Sequence, residues 1–68
     1  MKLWVVGRNN DDSGKDWDFQ GVFDTEDKAV AACISPMHFV GPVELNQTIP
    51  EESSEWPDSY YPKYTGQV

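Results

Sequence analysis

Asp24-Thr25 and Ser35-Pro36 bracket a stretch with a helical period, and extended-type runs flank it on both sides. A short helix between two strands constrains this chain more than any other feature. Asp24 or Thr25 supplies an N-cap oxygen for the unpaired amides of the first turn, and Glu26 and Asp27 place negative charge at the positive end of the helix dipole. Ala29, Val30, Cys33 and Ile34 recur at three-and-four spacing as one apolar stripe. Proline disfavours helical geometry in the residue before it and has no amide to donate, so Pro36 stops the helix. The spacing predicts a helix over residues 26–34.

Three strands accompany it. Residues 2–8 are β-branched and aromatic on both parities, Leu3 and Val5 against Trp4 and Val6, which suits a central strand. Residues 9–16 are turn formers and predict a hairpin loop. In residues 17–23 the side chains of Trp17, Phe19 and Phe23 are expected on one face and those of Asp18 and Gln20 on the other. In residues 38–45, Phe39, Val43 and Leu45 oppose Val40, Pro42 and Glu44, and Pro42 argues for an edge position. A right-handed crossover through the helix makes the second and third strands parallel. The expected fold is α+β: a ββαβ arrangement with a three-stranded sheet of order 2-1-3 and one helix on the Phe19, Phe23 and Phe39 face. Trp4, Val6, Val22 and Val40 are expected on the opposite face.

After Asn46 the periodicity ends. Pro50, Pro57 and Pro62 punctuate Glu51, Glu52, Glu55 and Asp58, with Trp56, Tyr60, Tyr61 and Tyr64 as the large apolar groups. This divides the chain into a ββαβ domain, 1–46, and an acidic proline and aromatic tail, 47–68. The tail is expected to lie along the domain to residue 61 and to fray over 62–68. A chain of 68 residues buries only about 60% of the surface it exposes when unfolded, so its core is economical or shared. Trp4, Val6, Val22 and Val40 are covered either by the tail or by a partner or second copy.

Candidate chemistry is sparse. Asn9, Asp11, Ser13 and Gly14 match the early spacing of a calcium loop, but Gln20 stands where a bidentate carboxylate is needed. Cys33 and His38 are too few for structural zinc; Cys33 reads as a small buried group and His38 as a strand-end surface residue. The acidic pairs Glu51 with Glu52 and Asp11 with Asp12 lack the dry pocket that general acid and base work requires. The expectation is a non-enzyme with no metal and no cofactor. The single cysteine and an apolar start of only four residues point to a cytoplasmic protein without a membrane span. By the same reading, the sequon at Asn46-Gln47-Thr48 is a chance match.

Five Lys and Arg stand against twelve Asp and Glu, a formal charge of −7. That balance disfavours direct nucleic-acid binding and favours a basic protein surface, including one that normally holds nucleic acid. Phe19-Gln20-Gly21-Val22-Phe23, Asp24-Thr25 before Ala29 to Cys33, Phe39 to Asn46, and Trp56-Pro57 with Tyr60-Tyr61-Pro62 together resemble the small, mostly uncharacterised accessory proteins of bacteriophages and prophages. The resemblance implies a protein of the host cytoplasm that binds and blocks host machinery, including defence systems, or one that sequesters a nucleotide signal. Two readings follow. One is an inhibitor of a host protein, holding it through Trp4, Trp56, Tyr60 and Tyr61 ringed by Glu51, Glu52, Glu55 and Asp58. The other is an oligomeric nucleotide binder that stacks the base on tryptophan or tyrosine, with Arg8 or a lysine on the phosphate.

Overall fold

The computed structural model describes residues 1–11 and 15–64. Its elements are β1 (Lys2–Asn9), β2 (Trp17–Phe23), α1 (Glu26–Ala32) and β3 (His38–Glu44), followed by one 3-10 turn, Ser53–Glu55. The sheet order is β2-β1-β3. Because β1 is antiparallel to both neighbours, β2 and β3 run in the same direction, as the crossover through α1 requires.

α1 starts where the sequence places it. The Thr25 Oγ1 accepts from the Lys28 amide at 3.2 Å, with Glu26 and Asp27 in the first turn. It ends two residues earlier than expected. Cys33 leaves helical geometry at φ −83° and ψ 91°, and Ile34, counted in the apolar stripe, is 81% exposed instead.

The helix takes the other face of the sheet from the one expected. It packs Ala29 and Cys33 onto Val6 and Val40, with Trp4 and Phe23 alongside. Phe39 lies in the opposite layer with Val5, Val43 and Trp56, joined by Leu3, Trp17 and Tyr61. Two physical causes account for the exchange. The pairing of β2 with β1 runs Val6 to Gly21 and then Gly7 to Phe19, so Gln20 is an extra residue, a bulge that reverses parity. Trp17 therefore joins Phe39 while Phe23 joins Val6, and Phe19 (58%) and Val22 (50%) face solvent. The second cause is volume. Small Ala29 and Cys33 fit closely over valines, whereas the large rings need glycine beneath them. A Cβ on Gly7 would stand 2.6 Å from both Phe39 and Trp17, and one on Gly41 would stand 2.5 Å from Trp56.

The tail forms the second layer. Phe39 meets Trp17 edge-on at 5.2 Å between ring centroids, Trp56 at 6.0 Å and Tyr61 at 5.7 Å. The tail also closes the outer edge of β3. Val40 and Tyr60 exchange backbone hydrogen bonds at 2.9 and 3.0 Å. The Trp56 indole donates to the Pro42 carbonyl at 2.9 Å, and the Glu44 amide donates to Gln47 Oε1 at 2.9 Å. Residues 40, 42 and 44 thus turn their backbone groups outward, so the missing amide of Pro42 removes nothing from the ladder with β1.

Candidate binding surface

The acidic stretch of the tail is carried on fixed backbone. Trp17 Nε1 donates to the Glu51 carbonyl at 3.0 Å, and Ser53 Oγ donates to Asn9 Oδ1 at 3.1 Å. The 3-10 turn closes through the Glu55 amide to the Glu52 carbonyl and the Trp56 amide to the Ser53 carbonyl, at 3.1 and 3.2 Å. Asp58 then reverses the chain at φ 67°. Glu51, Glu55 and Asp58 project into solvent and Glu52 is half-buried. Among the described residues none of these four carboxylates is in an ion pair. Ion pairs between described residues join Lys28 to Asp24 at 3.1 Å and the Met1 amino group to Glu44 at 3.4 Å.

The aromatic residues expected to present a partner surface are placed differently from one another: Trp56 and Tyr61 pack with Phe39, Trp4 packs on the helix side, and Tyr60 stays exposed. Trp56 is 6% exposed. Trp4 is half-buried in the helix-side cluster, and Lys2 Nζ lies 5.0 Å from its ring centroid. Tyr61 is half-buried and its hydroxyl meets Asn9 Nδ2. Tyr60 keeps an exposed ring and donates its hydroxyl to Glu26 Oε2, a bond that pushes its own pKa up to about 12. Arg8 is exposed, in register with Asp18 and His38. The structure therefore brings Trp56 and Tyr61 together inside, leaves the acids outside, and places Trp4 on the other side of the sheet.

Three further expectations change or gain detail. His38 is buried at 6% exposure, its Nδ1 2.7 Å from Ser35 Oγ, so it is no surface residue. Cys33 is fully buried, as expected; its thiol donates to the Ala29 carbonyl at 3.4 Å and burial pushes its pKa up. Asn9, first in the calcium-type spacing that fails at Gln20, spends its amide on Ser53 and Tyr61. Ser13, Gly14 and Asp12 lie outside the described residues, as do residues 65–68 of the segment expected to fray. Among the described residues no group of three His, Cys, Asp or Glu could hold a metal ion.

Cavities among the described residues flank the tail. One of about 250 Å³ is lined by Lys2, Pro42, Glu44, Pro50, Trp56 and Asp58 among others. Another, about 400 Å³, is lined by Asn9, Asp11, Pro36, Met37, Tyr61 and Tyr64. Asp11, for which the sequence offered no pocket, thus has one beside it. Met37 has no role in the sequence analysis, and Tyr64, in the segment expected to fray over 62–68, has its ring centroid 6.2 Å from that of Tyr61; the three-residue step from Tyr61 to Tyr64 across Pro62 was the available signal. No described helix is long and apolar enough to cross a membrane. No family model, curated protein or solved structure matches the chain.

Proposed function

We propose that this protein works by binding another protein, meeting a basic surface with the acidic ridge of Glu51, Glu52, Glu55 and Asp58. The observation that carries this reading is that these carboxylates stand on a backbone anchored by Trp17, Trp56 and Asn9, without a cation of their own among the described residues. A charged surface already held in place pays little ordering entropy on association and steers an oppositely charged partner. That the partner is a host protein and that binding blocks it follow from the resemblance to phage accessory proteins. The nucleotide reading has less support: the larger cavity has Asp11 and no Lys or Arg among its described lining residues, and the smaller sets Glu44 and Asp58 beside Lys2.

Affinity capture from a bacterial lysate tests the proposal. The chain should retain a basic protein at low salt and release it as salt rises. Combining Glu51→Lys, Glu55→Lys and Asp58→Lys should abolish retention while the circular dichroism spectrum stays that of the parent. Identical captured proteins for parent and variant would overturn the reading.

A further inference from the structure

We propose that the outer edge of β2 takes up an extended segment of another protein in which apolar and basic side chains alternate, adding it to the sheet as a further strand. β2 pairs with β1 on one side, and among the described residues no strand pairs with its other side. The even-numbered residues of β1 serve β2, because the amide of Asn9 goes to Met37 on the β3 side and that of Asn10 goes to Asp16. In an antiparallel ladder the residues opposite them, Phe23, Gly21 and Asp18, turn their backbone groups inward. Val22 and Trp17 therefore turn theirs outward, where an incoming strand can pair with them. The edge of β3, by contrast, is closed by Tyr60, Trp56 and Gln47.

The two faces of this edge differ. Val22 stands opposite Val5 and Phe19 opposite Gly7, which places both on the face that the tail covers over β3. The tail does not bury them: Val22 is 50% exposed and Phe19 58%. Apolar side chains of a guest strand would cover both. Asp18 is on the other face, exposed, between Arg8 of β1 and the open edge, and among the described residues no ion pair joins it to Arg8. It meets the guest's alternate side chains, and a positive charge there suits it. The charge of the whole chain, −7, favours the same sign, and the acidic ridge begins beside this edge, since the Trp17 indole holds the Glu51 carbonyl. A second copy fits less well. It would bring the same negative charge, and the bulge at Gln20 increases the twist of β2, which a flexible segment follows and the edge of another sheet does not. The sign of the partner's charge rests on the proposed function; the open ladder of β2 does not.

Nitrogen-15 NMR titration of the full chain with an acetylated, amidated heptapeptide alternating lysine and valine tests the edge, beside its block isomer, lysines first and valines last, and a peptide alternating glutamate and valine. The lysine and valine peptide should shift the Trp17, Phe19 and Val22 amides saturably, with the block isomer and the glutamate peptide each about fivefold weaker or worse. Phe19→Ala should weaken it about fivefold through the lost contact. Val22→Pro should do so through the lost amide, which the ladder with β1 does not use, again by about fivefold. No saturable shift, equal binding of either control peptide, or unchanged affinity in both variants would overturn it. So would a dimer of the parent in sedimentation that Val22→Pro dissociates, since the edge would then belong to a second copy. Lysate capture that is abolished by charge reversal of the ridge while the peptide fails to bind would leave the proposed function standing and refute this edge. Peptide binding with identical lysate capture by parent and ridge variant would support the edge and overturn the ridge.

Discussion

Gly41 must be glycine because Trp56 lies on it, and its substitution measures how much that ring contributes. A methyl at Gly41, 2.5 Å from Trp56 Cε2, forces the indole off β3. Gly41→Ala should cost about 1–3 kcal/mol, read by denaturant unfolding, with tryptophan emission shifted to the red. Phe19→Ala, at an exposed ring, should change stability by less than about 0.5 kcal/mol. Cys33 should resist a thiol reagent under native conditions and react at the rate of a free thiol in denaturant, since burial both blocks it and disfavours its thiolate. Tyr60 sets a dependence on alkaline pH. Its folded pKa of about 12 lies above the ordinary 10, so the Glu26 contact stabilises fully below pH 10 and is lost as pH rises through about 12. At this exposed position the contribution is at most about 0.5 kcal/mol. The stability gap between the parent and Tyr60→Phe should accordingly close between pH 10 and 12.

At the scale of elements, the sheet depends on the tail that covers it. Truncation after residue 46 would bare Val5, Phe39 and Val43 and leave the outward groups of β3 without Tyr60, Trp56 and Gln47. The truncated chain should lose cooperative thermal unfolding by circular dichroism; a sharp transition near the parent's would count against this account. The strands, their order and the helix start were legible because period, turn chemistry and capping are local. The faces were not. A bulge at Gln20 leaves no mark in an alternation count, and one extra residue sends Phe23 to the opposite side from Trp17. Which face α1 covers depended on volumes at Gly7 and Gly41, a matter of tertiary packing. For the same reason Trp4, Trp56 and Tyr61 read as binding anchors and proved to be core or half-buried. The acids read as surface and were found there, because a carboxylate rarely leaves water without a partner.

Across the whole molecule, the acidic charge and the aromatic mass of the tail are divided between its two sides, one for water and one for Phe39. The inner side is fastened to Asn9 by Ser53, 44 residues on, and by Tyr61, 52 residues on. Those closures span most of the chain, and contacts so remote in sequence must meet a loop-closure cost before they reward the chain. Folding should therefore be slower than for a helical protein of this size, with the sheet and α1 formed before the tail seats. Trp56→Phe should then leave the refolding rate nearly unchanged and speed unfolding, and stopped-flow measurement of both limbs would decide it. Asn9 thereby ties both remote closures to one buried amide, and release of Tyr61 and Ser53 from it should be among the steps that limit how long the native state persists.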